Sequence, residues 1–214
     1  MIISHRHRYV FLKTKKTAGS SVEIALSRSC GPDDVITQLP RPDEELRRQA
    51  GGLGRQNNSA PPLTVSLHEH SGARRCRRGV GRETFEGYYR FAIERNPWDA
   101  VVSLYYWVNR RTGSYSFEEF LERPEVANLA AQNHAIWHID GRVAVDRVVR
   151  YESLEHDLTE VWQHLGLPGS PDLPRAKSGI RPGRVPYRDL YDAGGRQRVG
   201  ELFAPMIDEL GYSF

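Results

Sequence analysis

Tyr9-Val10-Phe11-Leu12-Lys13-Thr14-Lys15-Lys16-Thr17-Ala18-Gly19-Ser20-Ser21-Val22-Glu23-Ile24-Ala25-Leu26 is the stretch on which the reading of the fold turns. Its first four residues are nearly all apolar, as in a short strand buried on both faces of a parallel sheet. Thr14 to Ser21 has no apolar periodicity and holds Gly19, so it reads as a loop. Val22 to Leu26 then has helical character. Strand, loop and helix in that order open a βαβ unit.

Outward from this start, Val65-Ser66-Leu67-His68 reads as a second strand, Arg90-Phe91-Ala92-Ile93-Glu94 as a third and Val145 to Tyr151 as a fourth. Asn96-Pro97 opens a helix through Val101, Leu104, Tyr105 and Val108: Asn caps, Pro suits the first helical position, and Asp99 suits the positive end of the dipole. Ser116-Phe117-Glu118-Glu119 is a capping box for another helix. Further helices are expected over Val126–His138 and Leu154–Leu165. A C-terminal helix carries Val199, Leu202, Phe203, Met206, Ile207 and Leu210 on one stripe. The expected fold class is α/β, a central parallel sheet flanked by helices, in a single domain over residues 1–214. Residues 41–63 are polar and rich in turn formers, and read as a mobile surface excursion with a short helix around Glu44 to Gln49.

Net charge is +3 and the basic residues number 30, of which only Lys13, Lys15, Lys16 and Lys177 are lysine. Three of the four fall within four positions. A compact, rotatable ammonium is not interchangeable with a rigid guanidinium fork, so these lysines mark a site with a specific need. No apolar run approaches the roughly 18–20 residues of a membrane span. The basic start, His5-Arg6-His7-Arg8, is not a signal peptide, and two cysteines make no disulfide scaffold. The expected setting is cytoplasmic.

The loop Lys15-Lys16-Thr17-Ala18-Gly19-Ser20-Ser21 suits a phosphate-like anion. Small residues let backbone N–H groups approach closely, the following helix points its positive end at the same place, and hydroxyls and Lys16 add donors. An ATP- or GTP-binding loop would need Lys after the last Gly, and that motif occurs nowhere in the chain. The plainer alternative is a Ser-rich helix cap beside a lysine-rich surface. The stretch resembles the 5′-phosphosulfate loop of sulfotransferases that use 3′-phosphoadenosine 5′-phosphosulfate (PAPS). Lys16, Thr17, Gly19, Ser20 and Ser21 keep that pattern, while Lys15 and Ala18 replace its usual Pro and first Gly.

Arg95 lies at a strand end, the binding edge of an open α/β sheet. Ser103, two helical turns past the Asn96 cap, returns to roughly the same face. Together they can clamp a second anion, although a capped helix with a structural Arg explains them equally well. Arg95 to Ser103 resembles the same family's 3′-phosphate motif, Arg-x-Pro with Ser eight residues beyond Arg. Val149 to Leu154 resembles its strand-ending Arg-Tyr-Glu-x-Leu, and Tyr187 to Tyr191 with Gly211-Tyr212-Ser213-Phe214 resembles its closing segment. Residues 28–63 and about 111–145 match poorly. Lys177-Ser178 resembles a late loop over the nucleotide.

Transfer to a hydroxyl needs a general base. His68-Glu69-His70 resembles the His-x-His of the uronyl 2-O-sulfotransferase branch, and His70-Ser71-Gly72-Ala73-Arg74 resembles the His-x-x-Ala-Arg run of related bacterial enzymes. If the second strand persists, both histidines share one side and Glu69 points away. His70 is the expected base and His68 the second choice; zinc binding and a structural pair are the rival readings. His134 and His138, one helical turn apart, are read as helix-surface or core histidines.

The resemblance implies a nucleoside-kinase-like sulfotransferase fold and direct in-line transfer without metal, PAP being the desulfated product. Lys16 would stabilise charge on the transferring group, the loop would hold the 5′-phosphate, and Arg95 with Ser103 the 3′-phosphate. The acceptor is expected to be a carbohydrate or other small molecule carrying a hydroxyl or amine. An ATP-using kinase and a non-catalytic nucleotide- or nucleic-acid-binding protein are the alternatives. The second would use Arg74-Arg75 and Arg77-Arg78, but no aromatic residues are interleaved with them, so nucleic acid is not expected as a partner.

Overall fold

A computed structural model describes residues 1–113, 115–174, 176 and 185–214. The chain opens with β1 (Ile2–Ser4) and β2 (Tyr9–Leu12), then α1 (Gly19–Ser27), β3 (Val35–Ile36), α2 (Arg41–Gln49), α3 (Ala73–Val80), α4 (Arg82–Glu86) and β4 (Tyr89–Glu94). It continues with α5 (Pro97–Thr112), α6 (Phe117–Leu121), α7 (Pro124–Trp137), β5 (His138–Ile139), β6 (Arg142–Val143) and β7 (Arg147–Arg150). A 3-10 turn at Tyr151–Ser153 leads into α8 (Leu154–His164), and α9 (Ala193–Leu202) and α10 (Ala204–Leu210) follow. The chain divides into two compact units, Met1–Glu94 with Ala135–Ala176, and Arg95–His134 with Lys177–Phe214.

The first unit is mixed α/β. Its five-stranded sheet has the order β3-β1-β2-β4-β7. β2, β4 and β7 run parallel, with Phe11 opposite Phe91 and Ile93 opposite Val149. Tyr9, Phe11, Phe91, Ile93 and Val149 on one face pack with Val22, Ala25 and Leu26 of α1 and Leu158, Val161 and Trp162 of α8. Val10, Leu12 and Ala92, which alternate with them, are fully buried too. Burial on both faces is why these strands are apolar runs without polar alternation.

The sheet is not wholly parallel, against expectation. β1 lies antiparallel to both β2 and β3. Only residues 5–8 connect β1 to β2, and a connection that short permits only antiparallel pairing, because a parallel crossover needs a dozen residues or more. Arg8 takes a φ of 55° in this turn. The buried Asp34 carboxylate fixes it: Oδ1 accepts from the His5 and Arg6 amides at 2.6 and 3.0 Å, and Oδ2 from the Ser4 hydroxyl at 2.9 Å and the Gly31 amide at 2.8 Å.

Val65–His68 is not a strand. The backbone there is satisfied locally, Leu67 N–H donating to the Asn58 carbonyl at 2.7 Å and the Asn58 side chain donating to the Leu67 carbonyl at 2.8 Å. Within the 41–63 stretch the helix expected around Glu44 to Gln49 forms and begins earlier, at Arg41. α2 covers nine residues, and its Arg47 side chain is buried against Glu23 of α1 at 2.9 Å.

The second unit is helical. The Asn96 side chain caps α5 by accepting from the Trp98 amide at 3.1 Å, with Pro97 at the first position. The capping box at Ser116 and Glu119 forms as expected. The expected C-terminal helix is broken at Phe203. Pro205 starts α10 because it has no N–H to donate back to the preceding turn. Val199, Phe203 and Met206 of the stripe are buried on either side of the break.

Candidate functional site

Leu12, Glu94 and Arg150 end the three parallel strands at one edge of the sheet. The chain leaves β2 there and runs through Lys13–Ala18 into α1. Lys16 and Ala18 have φ of 67° and 59°, with Thr17 between them outside the left-handed region. Residues with a Cβ enter that region at a cost, so two in three positions mark a loop held in shape by its surroundings. Alternation of hand along a loop turns successive N–H groups to one side, the geometry of an anion nest. α1 begins at Gly19, and its cap residue, Ala18, offers no side-chain acceptor to the first amides. A positive helix end complements such a nest.

The hydroxyls of the loop divide between two tasks. Thr14 donates to the Ile93 carbonyl on β4 and so accepts from the Thr17 hydroxyl at 2.9 Å. Thr17 is buried, so its hydroxyl braces the loop. Ser21 accepts from the Ala176 amide at 3.2 Å. Gly19 is fixed by close approach rather than by φ: a Cβ there would lie 2.7 Å from Cγ of Lys13. Lys15, Lys16 and Ser20 complete the segment and take part in further contacts.

Lys13 is buried and anchors the loop. Its Nζ lies 3.2 Å from Glu23 Oε2 and 2.8 Å from Glu69 Oε2. Glu23 also meets Arg47 and the Met1 ammonium, each at 2.9 Å. Burial alone would raise the Glu23 carboxyl; these three cations together hold it below its usual range.

His70 joins the same cluster. Its Nδ1 is 2.8 Å from the Lys13 carbonyl. A carbonyl only accepts, so Nδ1 carries the proton and Nε2 the lone pair when the ring is neutral. Burial lowers its pKa to about 4, against the opposing pull of that hydrogen bond and of Glu69. The ring is neutral at pH 7 with Nε2 able to take a proton. His68 is exposed, its amide donating to the Ser71 hydroxyl at 2.9 Å inside a turn. Because this segment is a turn, strand alternation does not separate the side chains. Glu69 does not point away: its Oε1 lies 3.8 Å from His70 Nε2.

In the second unit, Arg95, Asp99 and Ser103 are spaced by four residues along the start of α5. The Arg95 guanidinium is held by Asp99 Oδ2, at 2.8 Å from Nε and 2.6 Å from Nη2. Ser103 is half-buried. His134 lies on α7, where its Nε2 is 4.0 Å from Glu209 Oε2, whereas His138 starts β5 beyond the helix end. Lys177 and Ser178 lie outside the described residues. The sequence alone does not single out Glu23 or Glu69 as site residues. The cluster of lysines is the one signal pointing to Lys13.

No protein-family model matches the chain. A protein of Archaeoglobus fulgidus, described as uncharacterized, is 34% identical over 102 residues, which are 45% of this chain and 83% of that protein. Among solved structures, a sulfotransferase from Alicyclobacillus acidocaldarius aligns over 98% of this chain and 97% of its own, with a TM-score of 0.42 and 16% identity. A likeness that slight assigns neither a fold nor an activity. No described helix is long and apolar enough to cross a membrane.

Proposed function

We propose, from the premise that this chain belongs to one family with the uncharacterized archaeal protein and must be read from its own residues, that it is a sulfotransferase using PAPS. The observation that carries the reading is the loop between β2 and α1. Its left-handed Lys16 and Ala18, and a start of α1 at which the cap residue makes no side-chain hydrogen bond, fit a phosphosulfate. Arg95 and Ser103, in the other unit, enter on the sequence resemblance alone and are assigned the 3′-phosphate.

In this reading the loop amides and Lys16 bind the donor's 5′ end. His70 Nε2 takes the proton of the acceptor hydroxyl as its oxygen attacks sulfur. The bond from sulfur to the bridging oxygen breaks, and that oxygen leaves on PAP with the electron pair. Lys16 neutralises the charge growing there, a contribution made in the transition state.

The test is a thermal-shift comparison of PAP, ATP and adenosine 5′-monophosphate, followed by turnover of labelled PAPS with an acceptor panel. PAP should stabilise the protein most. Lys16→Ala should lower kcat by on the order of 10²-fold or more while PAP binding falls less. Near-wild-type turnover in that variant, or a preference for ATP, would overturn the assignment.

A further inference from the structure

Lys13 precedes the anion loop and takes no part in binding under the reading above, yet it is one of the most constrained side chains in the first unit. Four contacts converge on it. Its carbonyl accepts from His70 Nδ1 at 2.8 Å. Its ammonium bridges Glu69, at 2.8 Å, and Glu23 of α1, at 3.2 Å. Its stem fills the space where a Cβ of residue 19 would sit. The first contact selects the His70 tautomer, the second holds a carboxylate beside His70, and the last two join both to the start of α1.

We propose that Lys13 is a positioning residue for His70: its carbonyl aims the ring with Nε2 outward, and its ammonium shares Glu69 with that ring. The proposal rests on the reading of His70 as the base. Glu69 Oε2 pairs with Lys13 while Oε1 lies 3.8 Å from His70 Nε2, so one carboxylate serves two cations in turn. With the ring neutral, Glu69 is paired with the Lys13 ammonium. Once Nε2 has taken the acceptor's proton, the same carboxylate faces an imidazolium and stabilises it. Because the Lys13 stem also abuts Gly19, the loop that receives the donor and the ring that receives the proton are set from one residue. Lys13 is a lysine and not an arginine because a compact ammonium at the end of a flexible stem reaches both glutamates.

The charged groups facing His70 are Glu69, Lys13 and Lys15. Glu69 favours the imidazolium, and both lysines oppose it. Titrating the His70 ring by NMR, with the resonance assigned through His70→Gln, therefore separates the roles without any substrate. Lys13→Met keeps the stem and removes the ammonium. The His70 midpoint should rise by about one pH unit, since one opposing charge is lost and Glu69 is released to the ring. Glu69→Gln should move it the other way. Lys13→Arg should restore the wild-type midpoint only in part, because the fork is poorly matched to a bridging site. A His70 midpoint unmoved in folded Lys13→Met overturns the proposal. If Lys13→Met does not fold, Lys13→Gln, which also removes the ammonium but keeps a polar end for the glutamates, takes its place with the same expected rise. PAP-induced stabilisation of each variant is measured alongside. Normal PAP stabilisation with an unmoved midpoint rejects the positioning role alone. A moved midpoint in a protein that ignores PAP rejects the sulfotransferase reading alone.

Discussion

His70 ties chemistry to stability at the scale of one residue. Burial lowers its folded-state pKa to about 4, whereas an exposed imidazole sits near 6.5. Between these values the unfolded chain binds a proton that the folded chain does not. Stability therefore rises with pH across that window, and as pH falls from 6.5 to 4 His70 costs up to about 3 kcal/mol. Chemical denaturation at pH 4.5 and pH 7.5 should show a smaller loss for His70→Gln than for the wild type. The same displacement moves the acidic limb of activity: with His70 as base, the rate should begin to fall near pH 4 rather than near 6.5, and His70→Ala should lose on the order of 10²–10⁴-fold. Ala18 is equally instructive. A family pattern that usually has glycine here meets a φ of 59°, which an alanine adopts at a cost of about 1–2 kcal/mol.

α5 illustrates what an element adds to its residues. Its cap was legible because Asn-Pro carries its mechanism in two adjacent residues: a side-chain acceptor for the first amides and a ring with no N–H to leave unsatisfied. The partner of Arg95 was not legible. Asp99 reads from sequence as a dipole-compensating residue, and in the helix it falls one turn beyond Arg95 and takes hold of the guanidinium by Nε and Nη2. Such a grip leaves the fork oriented. Arg95→Ala should weaken PAP binding by about 2–5 kcal/mol with little effect on adenosine 5′-monophosphate, which lacks the 3′-phosphate. Asp99→Asn should give a smaller loss with the same selectivity, because the fork is loosened and not removed. Calorimetry with the two nucleotides checks both, and equal losses for both ligands would count against the 3′-phosphate assignment.

For the molecule as a whole, the edge of the sheet depends on one aspartate. Asp34 gathers four donors from the β1–β2 turn and from Gly31. Asp34→Ala removes that acceptor, at about 1–3 kcal/mol for each of the buried donors, the Ser4 hydroxyl and the Gly31 amide. The melting temperature should fall by several degrees, on the order of 2–4 °C for each kcal/mol in a chain of this size. Asp34→Asn should recover little, since an amide nitrogen would face one of the two donor pairs. A melt indistinguishable from wild type would show that the turn does not hold the edge.

The sequence by itself determined those features whose cause is local. The apolar run at residues 9–12 marked a strand buried on both faces, residues 90–94 read as a strand, side-chain caps marked α5 and α6, and residues 14–21 read as the loop between strand and helix. The tertiary structure alone decided the rest, because the deciding partners are far apart in the chain. Val65–His68 has the composition of a strand, but Asn58 takes both backbone groups of Leu67, Arg75 takes the Ser66 carbonyl and Ser71 takes the His68 amide. Arg47 looks like one charge among many on a polar helix until Glu23, 24 residues away, draws it into the interior. Lys13, Glu23, Glu69 and His70 span 57 residues and form one cluster only when α1 lies against the end of β2 and the 68–71 turn closes over both. A charge, a carbonyl and a carboxylate acquire their roles from distance, and distance is a property of the folded chain.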